Sequence, residues 1–324
     1  MISYSVAIRT LGTKPEVLRT TLECLGGQTV APDKVVVYIA EGYPKPDFNV
    51  IGEQYRFVPK GMAAQRLLPY KDMSSDCLLF LDDDVLMEPD SVEKLLVAME
   101  KYSADCLGVD TFATHSLSLW RKVREFVVNW TLPHRSEQWA VKIRSTNSFS
   151  YNIRPEKDFY LTQSCAGNVM LWRREVYGKL RMTDELWLDM LPFAYGDDMV
   201  ESYKVHRNGY RLGMLYNSGC IHADGKTASA KSKLDPRLIR TRAAGLFAGW
   251  WRTIYSPRGN DGRRNYYAAM LFAVKQLWQL GGMMILSVAR LRANILFSHV
   301  GGLHDGWRLV HSSIFGNLPP YIIE

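Results

Sequence analysis

Three consecutive carboxylates follow an apolar run in the segment 78–85, LLFLDDDV. Carboxylates this close raise one another's pKa unless a cation neutralises them, and oxygen ligands of this kind suit Mg²⁺ or Mn²⁺. Because side chains alternate in direction along an extended segment, Asp82 and Asp84 are expected to face one side and Asp83 the other. The cluster therefore predicts a divalent-metal site, and a solvated turn is the alternative.

Two later segments carry groups that could act with these carboxylates. Asp197 and Asp198 follow Gly196 and precede a predicted helix that ends near residues 208–209. An aspartate in this position is a common helix cap, and it can also serve as a general base for a hydroxyl nucleophile. His222 follows a short apolar segment, where it is either a metal ligand or an ordinary core or surface histidine.

The elements that must position these groups alternate along the first half of the chain. Strands are predicted for residues 4–9, 34–40, 55–59, 77–81 and 106–112. Helices are predicted for residues 15–25 and 61–70, and for the segment that ends at residue 102 and begins with a capping box at Asp90 and Glu93. The pattern predicts an α/β fold with a mostly parallel sheet and helices on both faces. Ligands bind at the carboxyl ends of such strands.

The arrangement of the DDD, GDD and His segments resembles the nucleotide-sugar glycosyltransferases of the GT-A fold, specifically glycosyltransferase family 2, over about residues 3–226. The resemblance implies a non-processive, inverting and metal-dependent enzyme, with a UDP-sugar as the expected donor. It implies that Asp198 is the catalytic base beside Asp197, and that Mn²⁺ or Mg²⁺ is held by Asp84, Asp82 and His222. The nucleotide-sugar site that it implies comprises Thr10, Glu41, Gly61, Arg66, Asp82, Asp83 and Gly167. Arg9 stands where the family usually has proline.

The chain has 324 residues and 47% hydrophobic residues, which is enough for a sizeable core. We expect a GT-A domain over residues 1–227, with a nucleotide-binding half (1–112) and an acceptor half (113–227), followed by a basic, amphipathic helical region (228–324). Residues 225–324 contain 14 Lys and Arg against 4 Asp and Glu, interleaved with tryptophans. This composition favours contact with an anionic membrane surface or a lipid-linked pyrophosphate, and a packed helical subdomain or dimer contact is the alternative. Residues 119–130 form a second predicted basic amphipathic helix.

Other features of the sequence limit the expected location and partners of the protein. The five cysteines are scattered and the start of the chain carries no signal-peptide pattern, so a cytoplasmic location is expected, with possible peripheral attachment to the inner face of the membrane. Lys275 interrupts the most apolar late stretch, 268–289, so no transmembrane helix is predicted. The expected acceptor is a glycan or a polyprenyl-linked saccharide of cell-envelope polysaccharide synthesis, and no nucleic acid is expected. A nucleotidyltransferase and an inactive nucleotide-sugar-binding scaffold are the alternatives.

Overall fold

The computed structural model describes residues 2–110, 123, 126–127, 130–131, 133–223, 235–259 and 262–323. Its strands are β1 (Tyr4–Thr10), β2 (Lys34–Ala40), β3 (Gln54–Val58), β4 (Cys77–Asp82), β5 (Val85–Met87), β6 (Cys106–Val109), β7 (Val141–Ile143), β8 (Phe149–Tyr151), β9 (Phe159–Leu161), β10 (Val169–Arg173), β11 (Leu212–Leu215) and β12 (Cys220–His222). Eight of them form one sheet in the order β3-β2-β1-β4-β10-β6-β11-β9. The pairs β5–β12 and β7–β8 form two small sheets.

The helices lie between the strands and in a C-terminal region. The α-helices are α1 (Pro15–Gly26), α2 (Met62–Arg66), α3 (Ser91–Lys101), α4 (Arg174–Lys179), α5 (Asp197–Arg207), α6 (Pro236–Trp250), α7 (Tyr266–Ala289), α8 (Asn294–Val310) and α9 (Ser313–Gly316). Two 3₁₀ segments (Met182–Met190 and Pro192–Ala194) precede α5, and a π-helical turn (Trp251–Tyr255) follows α6. The predicted α/β architecture with a C-terminal helical extension is confirmed.

The central strands of the sheet are buried because both faces of the sheet are covered. Tyr4, Val6 and Ile8 of β1 lie in the hydrophobic cluster that contains α1 and α3, whereas Ala7 lies in the cluster on the opposite face. The pairings β3–β2, β2–β1, β1–β4 and β6–β11 are parallel. Strand β10 is antiparallel to both of its neighbours, and Val169 lies opposite Leu81. This register brings the start of β10 to the carboxyl end of β4.

Two local predictions differ from the structure. The helix predicted for 61–70 extends only over α2, because a proline at position 69 would remove a helical hydrogen bond and clash with the preceding turn. Helix α3 begins as expected, but the Asp90 side chain does not cap it. Asp90 instead pairs with Lys94 one turn later, at 2.8 Å. Most of the helix predicted for 119–130 lies outside the described residues.

The C-terminal helices pack into the hydrophobic cluster on one face of the sheet. Phe272 of α7 stacks on Trp250 of α6 with ring centroids 4.1 Å apart, and both belong to the larger hydrophobic cluster. Helix α8 approaches α6 closely at Gly302, where a Cβ atom would lie 2.1 Å from the Arg240 carbonyl oxygen. The C-terminal region therefore shares its core with the sheet.

A buried charge cluster links this region to the helices beneath the sheet. Glu185 accepts hydrogen bonds from Lys204 of α5 at 2.8 Å and from Arg252 at 2.8 and 3.0 Å. The Glu185 and Lys204 side chains have no exposed surface. The Tyr321 ring lies against both cations. We call Glu185, Lys204 and Arg252 the buried ionic cluster.

Helix α7 is, among the described residues, the one helix that is long and apolar enough to cross a membrane by length and composition. From the sequence alone no such helix is predicted, because Lys275 interrupts the apolar stretch. In the structure that side chain is buried against the protein and donates to the Thr146 carbonyl at 3.0 Å. Length and composition are weak evidence for a membrane span.

Candidate active site

The end of β4 and the short β5–β12 sheet bring three potential metal ligands together. His222 lies opposite Val85 in the antiparallel β5–β12 pair, and the Ala223 amide donates to the Asp84 carbonyl at 2.9 Å. His222 Nε2 lies 3.0 Å from Asp84 Oδ1. One ligand atom each from Asp82, Asp84 and His222 lies within 4.8 Å of the other two. The three predicted metal ligands therefore share one site.

Two arginines hold the carboxylate of Asp82 on its other side. Arg9 Nη2 donates to Asp82 Oδ1 at 2.8 Å and to the Gly167 carbonyl at 2.6 Å. Arg66 Nη2 lies 3.4 Å from Asp82 Oδ2. Burial would raise the pKa of Asp82, but Arg9 and Arg66 outweigh burial, so its pKa lies below the ordinary value. Asp82 is therefore held ionised and oriented before any ligand binds.

Asp83 points away from this site, as the alternation of side chains along the segment predicts. It accepts a hydrogen bond from Thr10 Oγ1, and its carbonyl accepts one from Thr21 Oγ1 at 2.9 Å. Burial, together with the neighbouring Asp82 and Asp84 carboxylates, raises the pKa of Asp83 to about 6, although the hydrogen bond from Thr10 opposes the rise. Thr10 in turn binds α2, because its carbonyl accepts from Gln65 Nε2 at 2.9 Å. The pair Asp83–Thr10 thus fixes the ends of β1 and β4 relative to each other.

Arg66 connects the metal ligands to the second acidic segment. Its Nη1 donates to Asp197 Oδ2 at 2.7 Å and to Asp198 Oδ1 at 2.5 Å. Both aspartates begin α5, which follows Gly196 in the left-handed conformation at φ +97°. The Asp198 side chain is 42% exposed and that of Asp197 is 10% exposed. Asp198 is therefore the member of the pair that can meet an entering substrate.

Gly167 allows this contact by leaving space at the start of β10. A Cβ atom at this position would lie 2.4 Å from Asp198 Oδ1 and 2.9 Å from Arg66 Nη1. Both distances are shorter than normal contacts, so any larger residue would displace the two side chains. The acidic pair, Arg66 and the Gly167 carbonyl therefore form one packed unit.

Two further carboxyl groups show the effect of burial at this site. Burial raises the pKa of Asp197, and Arg66 opposes this rise while Asp198 adds to it. Glu201, one turn later on α5, is buried and its pKa is raised chiefly by burial. The sequence motifs predict no role for Glu201. Its i, i+4 spacing from Asp197 was the available signal.

Glu41 and Gly61 lie away from these contacts. Glu41 is exposed in the turn after β2, and its amide donates to the Val58 carbonyl at 2.8 Å. Gly61 precedes α2, where a Cβ atom would lie 2.2 Å from Asp189 Oδ2. Asp189 accepts from the amides of Ala63 and Ala64 at 2.9 and 2.6 Å. No sequence signal pointed to Asp189, which lies more than a hundred residues from its partners.

A cavity of about 440 Å³ opens beside the acidic pair. Asp197 and Asp198 form part of its wall, and the α6 residues Gly245 and Leu246 close another part. Its aromatic lining comprises Phe149, Tyr151, Phe193, Tyr195 and Tyr216. Polar lining groups include Asn147, Asn152 and Ser164. Pockets with aromatic walls and few polar groups are typical of small-molecule sites. Sequence motifs did not indicate these residues because most of them come from segments without a recognisable pattern. Tyr195, which directly precedes Gly196 and the acidic pair, is the exception.

The three potential metal ligands can be compared with the preferences of the metal ion that the sequence implies. Two hard carboxylate ligands and one imidazole, a borderline ligand, lie within 4.8 Å and suit a divalent cation such as Mn²⁺, and the half-buried side chains leave coordination positions for a substrate. Arg9 and Arg66 neutralise only part of the negative charge of Asp82, Asp84 and the acidic pair. The residues therefore fit Mn²⁺ or Mg²⁺.

Comparison with protein-family models identifies the family of this chain. The model of the family described as "Glycosyl transferase family 2" matches residues 15–180. No curated protein matches the chain in sequence.

Similar solved structures include the mannosyltransferase PcManGT from Pyrobaculum calidifontis in complex with GDP-Man and Mn²⁺, at 13% identity and a TM-score of 0.46, covering 95% of this chain and 75% of that one. They also include GalNAc-T7 with UDP, GalNAc and Mn²⁺, at 12% identity and a TM-score of 0.49, covering 80% of this chain and half of that one.

Proposed function

Because this chain belongs to glycosyl transferase family 2 and is a glycosyltransferase, we propose that it moves a sugar from a nucleoside-diphosphate sugar to an acceptor hydroxyl with inversion at the anomeric carbon. The observation that supports this most is the continuity of the site. Asp82, Asp84 and His222 lie within 4.8 Å of one another, and Arg66 joins Asp82 to Asp198 at the cavity.

The side chains on the two sides of this site have different proposed roles. Asp84, Asp82 and His222 would hold Mn²⁺ or Mg²⁺, which when bound supplies charge neutralisation to a diphosphate leaving group. Arg66 keeps Asp198 in place by a charge-assisted hydrogen bond and adds positive charge beside the site. Arg9 holds Asp82 and the Gly167 carbonyl in fixed positions.

Asp198 is the general base in this proposal. Its carboxylate takes the proton of the acceptor hydroxyl while the hydroxyl oxygen forms a bond to the anomeric carbon. The bond from that carbon to the diphosphate breaks, and its electron pair leaves with the diphosphate. Attack from the face opposite the leaving group inverts the configuration. The exposure of Asp198 at the cavity wall supports this role over Asp197.

The acceptor is proposed to be a glycan or a polyprenyl-linked saccharide in cell-envelope polysaccharide synthesis. The cavity of about 440 Å³ supports a saccharide, because aromatic rings offer apolar faces to sugars and the nearby amide and hydroxyl groups offer hydrogen bonds. A UDP-sugar is proposed as the donor from the family resemblance. A cytoplasmic enzyme at the inner face of the membrane would meet both substrates.

The test is a transfer assay with purified protein and a panel of UDP-, GDP- and dTDP-sugars, with Mn²⁺ and with EDTA. Saccharide acceptors are supplied, and nucleoside diphosphate release is measured. The proposal expects metal-dependent release of one nucleoside diphosphate that increases with acceptor, and a product whose anomeric configuration is opposite to that of the donor by NMR. A product that retains the donor configuration would contradict the role given to Asp198.

The same assay separates the two alternatives. A nucleotidyltransferase would release pyrophosphate from nucleoside triphosphates, because paired carboxylates also serve two-metal phosphoryl transfer. An inactive scaffold would bind nucleotide sugar with metal but release nothing. Either result would replace the proposed reaction.

A further inference from the structure

Helix α7 has two unlike faces. One face is buried against the protein through Ala268, Phe272, Lys275 and Ser287. The other carries exposed apolar side chains, most of them separated by three, four or seven residues, which is the spacing of a single helical face. We call these residues the apolar face of α7: Tyr267, Met270, Val274, Leu277, Trp278, Ile285 and Val288.

The apolar face of α7 carries no charge along its length. Lys275 is the one charged residue between Arg264 and Arg290 in the sequence, and it is 2% exposed. Its ammonium group points into the protein, where it donates to the Thr146 carbonyl at 3.0 Å. Leu277 is 69% exposed and Ile285 is 70% exposed, so the face lies open along both halves of the helix. Soluble proteins rarely leave an apolar surface of this length in water.

A second segment extends this surface. Trp278 Nε1 donates to the Val127 carbonyl at 2.7 Å, and the described residues Val123, Phe126 and Val127 are each more than two-fifths exposed. In the sequence these residues alternate with Arg121, Lys122 and Arg124. The apolar surface is therefore wider than one helix.

Arginines lie at both ends of the apolar face. Arg263 and Arg264 precede α7 and are exposed, and Arg290 and Arg292 follow it and are exposed. A helix with an apolar face and basic ends suits the boundary between the headgroups and acyl chains of an anionic bilayer. The opposite face of α7 is held by the protein, through the stacking of Phe272 on Trp250 at 4.1 Å. Lipid can therefore contact the helix along one side.

We propose that the apolar face of α7 is a docking surface on which the protein lies in the plane of an anionic bilayer, with arginines at both ends paired to lipid phosphates. The acceptor cavity lies on the buried side of α7, opposite the docking surface. The Thr146 carbonyl that accepts from Lys275 belongs to the residue before Asn147, which lines the cavity. Docking would therefore leave the cavity separated from the membrane by the thickness of one helix, about 10 Å. The surface itself does not depend on the identity of the donor or the acceptor.

The experiment is flotation of the full chain with vesicles of phosphatidylcholine alone and with added phosphatidylglycerol. We expect binding that requires phosphatidylglycerol, weakens with salt, and falls about tenfold or more in Leu277→Glu and in Ile285→Glu, because each change places a charge among buried acyl carbons. Val97→Glu is the matched control, because Val97 is a 55% exposed residue on α3, far along the chain from α7. It is expected to bind as the wild type does.

Several results would overturn the proposal. One is absence of vesicle binding by the wild type, and another is binding by the two glutamate variants that equals that of the wild type. A third is a wild-type dimer in light scattering that becomes monomeric in the same variants, with no vesicle binding by any of these proteins. Vesicle association that resists extraction in carbonate at pH 11 would show a spanning helix instead of in-plane docking. Circular dichroism verifies that each variant folds. Asp84→Ala is expected to retain vesicle binding, which separates this proposal from the proposed reaction.

Discussion

Two clusters of charged side chains in this protein differ in their balance of cations and carboxyl groups. The buried ionic cluster sets Glu185 between Lys204 and Arg252, so its cations outnumber its carboxylate. The candidate active site sets Arg9 and Arg66 among a larger group of carboxyls, Asp82, Asp83, Asp84, Asp197, Asp198 and Glu201. The first cluster is sealed from water, whereas Asp198 and the predicted metal ligands retain exposed surface.

The pKa values of the carboxyl groups express this difference. Burial alone would raise the pKa of Glu185, but Arg252 and Lys204 lower it to about 2. In the active site burial raises the pKa of Asp83 to about 6, and it raises the pKa values of Asp197 and Glu201 as well. A cluster that is complete within the chain stabilises the fold. A cluster with excess negative charge is ready for a cation from solution.

The largest effect is expected from Asp198→Asn. The amide keeps the shape of the side chain but cannot take a proton, so kcat is expected to fall by about 10²- to 10⁴-fold. Donor affinity should change little, because the predicted metal ligands remain. Initial rates and calorimetry measure the two quantities. Full activity in Asp198→Asn together with loss of activity in Asp197→Asn would show that Asp197, and not Asp198, is the base.

The next effect is on stability. Glu185→Gln leaves Lys204 and Arg252 buried without a counter-charge, and we expect a loss of about 3–5 kcal/mol in the free energy of unfolding. Because the folded pKa of Glu185, about 2, lies below its ordinary value of 4.5, this stabilisation is present above pH 4.5 and is lost as pH falls toward 2. Urea unfolding between pH 3 and pH 7 measures both trends.

Glu175→Gln is the matched control for this change. Glu175 pairs with Lys179 on the exposed surface of α4, so the same substitution is expected to leave the unfolding midpoint unchanged. If the two substitutions lowered the free energy of unfolding equally, the buried ionic cluster would be no more important for stability than a surface ion pair.

Metal should stabilise the active-site cluster and not the sealed one. At a Mn²⁺ concentration about 100 times its dissociation constant, binding to the folded state adds about 2.7 kcal/mol. We expect Mn²⁺ to raise the Tm of the wild type and of Glu185→Gln, and to leave that of Asp84→Ala unchanged. Thermal scans with Mn²⁺ and with EDTA measure this. A Mn²⁺ response that survives in Asp84→Ala would place the ion elsewhere.

The smallest effect is expected from Gly167→Ala. The added methyl group must displace the ends of Asp198 and Arg66, so kcat is expected to fall by about tenfold, or about 1.4 kcal/mol of transition-state stabilisation. The control is Gly178→Ala on α4, where a Cβ atom meets nothing within 4 Å. Similar kinetics in the two variants would show that close packing at Gly167 does not serve the reaction.

The sequence predicted the first half of the fold well because its signals are local. Residues 34–40 form a β-branched strand between turns, and the structure has β2 over Lys34–Ala40. Residues 140–173 gave no such signal. Strands β7, β8 and β9 have three residues each, and β10 runs antiparallel to its neighbours, so neither periodicity nor strand alternation could place them.

In the candidate site too, some residues could be predicted from local sequence motifs and others could not. Asp82, Asp84 and Asp198 stand in short motifs. The structure joins Asp82 to Asp198 through Arg66 and places Asp84 beside Asp82. Asp189 and the aromatic lining of the cavity reach the site only through tertiary contacts, which no local pattern encodes. The roles of Glu41 and Gly61 at a nucleotide remain predictions from the family resemblance.

The most direct measurement is calorimetric titration of UDP, GDP, dTDP and CMP into the wild type and Asp84→Ala, with Mn²⁺ and again with EDTA. If the carboxylates after β4 hold a metal that binds a donor diphosphate, one nucleoside diphosphate will bind the wild type with Mn²⁺ only, and Asp84→Ala will not bind it. Binding that is the same in EDTA, or the same in Asp84→Ala, would contradict the account.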